Sequence, residues 1–213
     1  MILHGYWRSS AAYRVRIALN LKRISYQQTS YPLRQGAQRS LEFLARNPQG
    51  LVPALETDEG TILTQSLAII EYLEETHPHP TLLPPHPLAR ARVRGLAMII
   101  ACDLHPLNNL RVLNFIGDRY RQDDAGKTQW YQHWVKVELD ALENRLSRDA
   151  ATGKFCHGNT ATMADVCLIP QLYNARRWNC DVRSYQTLLR IEEACLLLPA
   201  FSAAAPERQP DSE

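Results

Sequence analysis

The chain has 213 residues, enough for one large domain or two small ones, of which 45% are hydrophobic and 22% charged. Its net charge of +2 does not indicate a nucleic-acid or membrane surface, and no apolar run is long enough to form a transmembrane helix. The N-terminus has His4 and Arg8 but no long apolar core, which argues against a signal peptide. The five cysteines form no CxxC pair, which argues against a disulfide framework and zinc and favours a reducing cytoplasm.

Two neighbouring serine hydroxyls lie between the first predicted strand and the first predicted helix. Residues 1–6 are apolar and predict a strand, and the amphipathic run over residues 10–21 predicts a helix. Ser9 and Ser10 therefore lie where the strand gives way to the helix. Such a serine most often caps the helix by accepting a first-turn amide. Its hydroxyl and the positive helix end can instead hold an anion such as a thiolate, and both interpretations stay open.

The rest of the first eighty residues alternates between strand and helix patterns. Residues 34–45 are polar with two leucine anchors and form either a loop or a helix. The patterns predict strands at residues 25–30, 51–56 and 61–63 and a helix at residues 66–75. This order predicts a small mixed sheet covered by helices, with a parallel strand-helix-strand crossover near the start.

Five prolines in residues 77–87 cannot continue a helix, so this segment is predicted to be an inter-domain linker. Its three histidines are spaced by prolines and do not favour a metal site. The pattern beyond the linker is helical: residues 88–120 with an interruption at Pro106, residues 128–147, a helix that follows the capping box at residues 162–165 and runs to about residue 176, and residues 185–197.

These patterns predict two domains. The first covers residues 1–80 and has an α/β fold, and the second covers residues 88–213 and is all-helical. The tail after Phe201 is rich in alanine, proline and charge, and we expect it to be loosely held.

The run RSSAAYRVRIAL at residues 8–19 resembles the signature of zeta-class glutathione transferases, the class that includes the maleylacetoacetate and maleylpyruvate isomerases. Further segments are similar to family motifs and arrive in the family's order: NPQGLVPAL at 47–55, QSLAIIEYLEE at 65–75, HPLNN at 105–109, MAD at 163–165 and RQPD at 208–211. The resemblance covers essentially the whole chain. It implies a thioredoxin-like N-terminal domain, an all-α C-terminal domain and a homodimer.

The resemblance implies glutathione as the cofactor. It assigns the glutathione thiolate to Ser9, with Ser10 beside it, and the glycine end of glutathione to Gln38. It assigns the pairing with the glutathione backbone to Val52, which precedes a cis bond to Pro53. The γ-glutamyl end is assigned to Gln65 and Ser66. The strand and helix pattern supports the last pair independently. Ser66 falls between a predicted strand and helix, where an N-cap leaves free amides that suit a carboxylate.

For the second domain, the resemblance places His105, Asn108 and Asn109 at the active site, with His105 and Asn109 contacting glutathione and His105 and Asn108 contacting the substrate. It assigns the substrate carboxylates to Arg8, Arg111 and Arg177, with Arg176 as the alternative to Arg177. Arg8 is also assigned to catalysis, together with Ser9 and Ser10. Without the resemblance, a histidine before proline is more often a helix-end or core group, and surface arginines are usually solvated. Two positions depart from the family: Ala11 replaces a frequent cysteine, and Leu110 replaces a basic residue found in related bacterial isomerases.

The function implied is glutathione-dependent cis-trans isomerisation of a small dicarboxylate keto acid, maleylacetoacetate or maleylpyruvate, to its fumaryl isomer in aromatic-compound or amino-acid catabolism. A thiolate that adds to the double bond permits rotation and then leaves, so the cofactor is regenerated. The alternative is a general glutathione transferase that conjugates or dehalogenates small electrophiles. A non-catalytic interaction module or ligand carrier is a third possibility. The sequence does not decide between the two keto acids, because a methylene-sized difference is weakly discriminated.

Overall fold

A computed structural model describes all of residues 1–213. The chain divides into two compact units, Met1–Leu82 with Leu196–Glu213, and Leu83–Cys195. The first unit contains a four-stranded sheet in the order β2-β1-β3-β4. Its strands are β1 (Ile2–Gly5), β2 (Gln27–Ser30), β3 (Ala54–Glu56) and β4 (Ile62–Thr64).

The strand register gathers several chain turns at one end of this sheet. Strand β1 runs parallel to β2 with Gly5 opposite Ser30, which confirms the predicted parallel crossover. Strand β3 runs antiparallel to both β1 and β4, so that Ala54 lies opposite His4 and Thr64. The ends of β1, β2 and β4 and the start of β3 therefore share one end of the sheet.

The helices of the first unit are α1 (Ser10–Leu21), α2 (Leu41–Arg46), α3 (Ser66–Thr76) and α10 (Pro199–Ala203). Helix α1 packs against both α3 and α10. Small residues permit its close approach to the sheet, because a side chain at Gly5 would meet the Cβ atom of Ala12 at 3.3 Å. Val15, Ala18 and Leu19 are fully buried, so α1 lies at the centre of the core of this unit.

The second unit is helical, as predicted. Its helices are α4 (Pro87–Met98), α5 (His105–Leu107), α6 (Leu110–Tyr120), α7 (Asp124–Arg148), α8 (Met163–Arg177) and α9 (Gln186–Leu196), with a π-helical segment Ile99–Leu104 between α4 and α5. The capping box predicted at Thr162 and Asp165 is present and starts α8. None of the helices combines the length and the apolar character needed to cross a membrane.

The C-terminal segment lies in a different unit from the one that we predicted for it. We assigned residues 88–213 to the second domain with a loose tail, whereas Leu196–Glu213 groups with the first unit. The reason is that the segment bonds to α1: the guanidinium of Arg16 donates to the carbonyl of Ala204 at 3.0 Å, and Phe201 is fully buried. The division at Leu82 falls within the predicted linker 77–87.

Candidate active site

The N-terminal residues singled out from the sequence meet at one end of the sheet. Ser9 follows the end of β1, Val52 and Pro53 precede β3, and Gln65 and Ser66 follow the end of β4. The strand register places these three turns side by side. The peptide bond between Val52 and Pro53 is cis, as the resemblance implied.

Ser9 is the N-cap of α1, so the capping interpretation is confirmed. Its Oγ accepts the backbone N–H of Ala12 at 3.2 Å, and its own N–H donates to the carbonyl of Tyr6 at 3.0 Å. Ser10 and Ala11 begin the helix and are buried. No acidic side chain belongs to the first turn of α1 itself.

The start of α3 differs from the prediction by one residue. Ser66 is the first helical residue and not the N-cap, because Gln65 takes that position with φ of 70°. The Gln65 side chain does not cap the helix but donates to Oε1 of Gln49 at 2.9 Å. The first-turn amides of α3 therefore have no side-chain acceptor. Gln65, beside them, is held in a strained backbone conformation because it is not glycine.

Sequence reasoning did not identify Arg14 as a site residue. It lies on the buried side of α1 with 1% exposure, and its Nη1 donates to Oγ of Ser66 at 3.3 Å. A buried guanidinium thus adds positive charge where α3 begins. A charged residue inside the apolar run YRVRIAL was the signal that could have revealed it.

Gln38 lies near the segment that contains Val52, because a side chain at Gly50 would meet the Gln38 carbonyl at 3.1 Å. Gln38 lies in the 3-10 turn Ala37–Arg39, and its Oε1 is buried without a hydrogen-bond partner. Val52 lies outside the strand pairings, two residues before β3 begins. Arg8 is half-buried, with its guanidinium 5.0 Å from the centre of the Trp7 ring.

In the second unit, four of the predicted site residues lie around the junction of α5 and α6. His105 opens α5, and Asn108 ends it with its Nδ2 donating to the carbonyl of Tyr131 at 3.3 Å. The Oδ1 of Asn108 is buried without a partner. Asn109 caps α6 by accepting the N–H of Arg111 at 3.0 Å, and the Arg111 side chain is exposed.

The end of α8 lies near this junction through a shared neighbour. The ring of Trp178 stacks on Tyr131, whose carbonyl binds Asn108, with the ring centres 4.5 Å apart. Arg177 is exposed and its guanidinium lies 5.9 Å from the centre of the Trp178 ring. Tyr131 and Trp178 thus connect Asn108 with the end of α8 that carries Arg177.

Arg176 and Arg177 have different surroundings. The guanidinium of Arg176 makes a bidentate ion pair with Glu192 of α9, with Nη1 2.5 Å from Oε1, and this hydrogen bonding raises the pKa of Arg176. Arg176 is therefore engaged in holding α8 to α9.

The cysteines belong to the second unit. None of the five forms a disulfide. Burial raises the pKa of the Cys180 thiol to about 11, and it also raises the pKa of the Cys156 and Cys195 thiols. The first unit therefore offers hydroxyls, amides and cations but no thiol of its own.

A thioredoxin-like sheet followed by a helical unit, with a serine capping α1, defines the glutathione transferase class, and residues 8–76 match the family model of the glutathione S-transferase N-terminal domain. The chain is 49% identical to the maleylacetoacetate isomerase of Rhizobium meliloti, over 97% of this chain and 96% of that protein. Two similar solved structures each cover 100% of both chains. One is the holo form of a bacterial zeta-class maleylpyruvate isomerase, with TM-score 0.97 and 42% identity. The other is a maleylacetoacetate isomerase from Methylobacterium extorquens AM1 with bound malonate and glutathione, with TM-score 0.98 and 45% identity. The chain belongs to the zeta-class glutathione transferase family of maleylacetoacetate and maleylpyruvate isomerases.

Proposed function

We propose that the protein catalyses the glutathione-dependent cis-trans isomerisation of a maleyl keto acid to its fumaryl isomer, in the breakdown of aromatic compounds or amino acids. The observation that carries the proposal is the position of the Ser9 hydroxyl. It lies at the N-terminus of α1, at the same end of the sheet as the uncapped first turn of α3. One turn suits a thiolate and the other a carboxylate, and glutathione has both groups in one extended peptide.

Unused polar groups of the first unit fit glutathione. The first-turn amides of α3 and the buried guanidinium of Arg14 favour the γ-glutamyl carboxylate at Gln65 and Ser66. The backbone of Val52 is free of the strand pairings and suits the extended cysteinyl backbone. The unpaired acceptor of Gln38 suits an N–H near the glycine end.

Bound glutathione supplies a thiolate that adds reversibly to the activated double bond, so that rotation occurs about a single bond and the cofactor is regenerated. The Ser9 hydroxyl donates a hydrogen bond to that sulfur, and the positive end of α1 beside Ser10 favours the ionised form. Because the thiolate comes from the cofactor, Ala11 in place of the family cysteine is compatible with the reaction.

The substrate needs cations for two carboxylates and polar groups for its keto oxygens. We assign the carboxylates to Arg8, Arg111 and Arg177, since a guanidinium binds a carboxylate through two parallel hydrogen bonds. His105 and Asn108 are assigned to the keto-acid oxygens, and His105 and Asn109 also contact glutathione. The Nδ2 of Asn108 donates to the carbonyl of Tyr131 and its Oδ1 is an acceptor, so this assignment requires Nδ2 to turn towards the substrate.

We further propose that the protein is a cytoplasmic homodimer. Reduced glutathione and five cysteines that form no disulfide both suit a reducing compartment. Light scattering coupled to size-exclusion chromatography tests the dimer, which would have twice the 24.3 kDa mass of the chain.

The decisive experiment measures the loss of the cis substrate by absorbance, using purified protein with maleylacetoacetate and with maleylpyruvate. We expect turnover of at least one substrate that requires glutathione and leaves its concentration unchanged. Stoichiometric consumption of glutathione by small electrophiles, with no turnover of either maleyl substrate, would instead establish the general transferase activity and end the isomerase proposal.

A further inference from the structure

The peptide units on both sides of Trp7 are held by hydrogen bonds from distant parts of the chain. The Trp7 N–H donates to Oδ2 of Asp211 at 3.0 Å, and the Trp7 carbonyl accepts Nη2 of Arg16 at 2.9 Å. Arg16 is buried, with 1% exposure. Fixing both groups limits the rotation of the backbone at this residue.

The C-terminal segment that supplies Asp211 is itself anchored to the first unit. Gln209 is buried, and its Nε2 donates to the carbonyls of Ala203 at 3.0 Å and Ala205 at 2.8 Å. Its Oε1 accepts Nε2 of Gln28 from β2 at 3.1 Å. Asp211 also accepts the hydroxyl of Ser30, the last residue of β2. The segment therefore lies on the sheet at the end of β2, the end at which Ser9 also lies.

Trp7 sits inside the turn that carries Ser9. The N–H of Ser9 donates to the carbonyl of Tyr6 at 3.0 Å, so Trp7 and Arg8 form the two central residues of that turn. A shift of the Trp7 peptide would move the Ser9 hydroxyl and the first amides of α1 together. Sites of this kind need their reacting groups held to about 0.5 Å.

We propose that Asp211 is a positioning residue for Ser9: through the Trp7 amide, the C-terminal segment sets the place of the hydroxyl that stabilises the thiolate. This inference rests on the proposed function, since it concerns how well Ser9 serves a bound thiol. Arg16 completes the arrangement from the carbonyl side and also binds the same segment through the carbonyl of Ala204. The chain thus uses its last residues to order its first loop.

The test compares Asp211→Ala with Asp211→Asn, because the asparagine oxygen can still accept the Trp7 N–H. The pKa of the bound glutathione thiol is measured from its ultraviolet absorbance against pH, together with the pH profile of kcat/KM and the affinity for glutathione. We expect Asp211→Ala to raise the thiol pKa by about one unit, which lowers the thiolate fraction about tenfold at pH values below that pKa. Affinity should change less than about twofold, because Val52, Gln65 and Ser66 lie on other elements.

Asp211→Asn should restore the thiol pKa of the wild type. The matched control is Gln28→Ala, which removes a contact to the same segment without reaching Trp7, and it should leave the pH profile unchanged. An unchanged thiol pKa in Asp211→Ala would overturn the proposal. So would an equal shift in Asp211→Ala and Asp211→Asn, because the effect would then come from charge alone. If Asp211→Ala fails to fold, a shifted thiol pKa in Asp211→Asn still overturns the proposal.

Amide exchange of Trp7, followed by NMR, tests the contact without glutathione. The Trp7 amide should be protected in the wild type and in Asp211→Asn, and should exchange rapidly in Asp211→Ala. If the wild type does not bind glutathione, the proposed function fails. The exchange data still show whether Asp211 orders the loop, and fast exchange in the wild type would overturn the inference by itself.

Discussion

Ser9 has a structural role and, in the proposed function, a chemical role, and one substitution can separate them. Ser9→Ala removes the acceptor of the Ala12 N–H, so we expect the free energy of unfolding to fall by about 1 kcal/mol. It also removes the donor to the thiolate, and loss of one such donor typically lowers kcat/KM roughly a hundredfold. Urea unfolding and the isomerase assay measure the two effects separately.

The control for this substitution is an N-cap far from the proposed site in the sequence. Asp123 caps α7 by accepting the N–H of Gly126 at 2.9 Å. Asp123→Ala should cost a similar amount of stability and leave kcat/KM unchanged. If Ser9→Ala and Asp123→Ala lowered activity equally, Ser9 would be a helix cap and nothing more.

Ser9, Ser66 and Arg14 show which residue roles could be predicted from the sequence. Ser9 was predictable because capping depends on residues within one helical turn. Ser66 was placed one residue off, because the positive φ of Gln65 moves the cap and glutamine gives no signal for that conformation. Arg14 was missed because its burial and its bond to Ser66 depend on how α1 packs against α3. Local chemistry was therefore readable, and tertiary contacts were not.

At the scale of single elements, α8 depends on one buried carboxylate. Asp165 is fully buried, and it accepts the N–H of Cys156 on Oδ1 and both the N–H and the hydroxyl of Thr162 on Oδ2, each at 2.8 Å. Burial raises the pKa of Asp165, and the bonds from Cys156 and Thr162 oppose that rise. The capping box was predictable from sequence, but the bond to Cys156 was not, because it joins the preceding loop to the helix.

Asp165→Asn should be strongly destabilising, because the new amide group must face a donor on one of its two sides. We expect the free energy of unfolding to fall by about 3 kcal/mol, measured by urea unfolding. Asp181→Asn, at an exposed position in the same unit, is the control and should stay within about 0.5 kcal/mol of the wild type. A loss below about 1 kcal/mol in Asp165→Asn would contradict the role assigned to the buried carboxylate.

Helix α4 holds the loop that follows α7 through a single arginine. The guanidinium of Arg92 donates to Asp149 at 2.6 Å, to the hydroxyl of Thr152 at 2.9 Å and to the carbonyl of Cys156 at 2.8 Å. The hydrogen bond from Arg92, together with the N–H of Ala151, lowers the pKa of Asp149. The native state therefore favours the ionised carboxylate more than the unfolded state does.

The sign of this pKa shift predicts a pH dependence. The ionised Asp149 carboxylate contributes fully to the free energy of unfolding above its unfolded-state pKa of about 3.9. This contribution is lost as the pH falls through its lower pKa in the native state. We expect Asp149→Asn to lower the Tm at pH 7, and the difference from the wild type to shrink as the pH falls below about 4. Thermal unfolding from pH 7 down to about pH 2, below the lowered native pKa, measures the difference. A difference that stayed constant or grew with acid would contradict the assignment.

At the scale of the whole molecule, the sequence predicted two units and the position of the boundary between them. The composition changes sharply at the prolines of residues 77–87, and this change is a local signal. The assignment of Leu196–Glu213 was not predictable in the same way. Its helix α10 is short, and its main partner Arg16 lies 188 residues earlier than Ala204 in the chain. No periodic pattern reports a contact over that separation.

The first unit should therefore depend on the end of the chain for its stability. Phe201 is fully buried, its carbonyl accepts the Tyr13 hydroxyl at 3.4 Å, and its helix α10 packs against α1. Phe201→Ala should lower the free energy of unfolding by about 3–5 kcal/mol, the usual cost of a large cavity, as measured by urea unfolding. Leu197→Ala is the matched control from the same segment, because Leu197 is 74% exposed and its loss should cost less than about 0.5 kcal/mol. Equal stability of the two variants would mean that the C-terminal segment lies on the first unit without supporting it, and the ordering of the Ser9 loop by Asp211 would then lack a firm anchor.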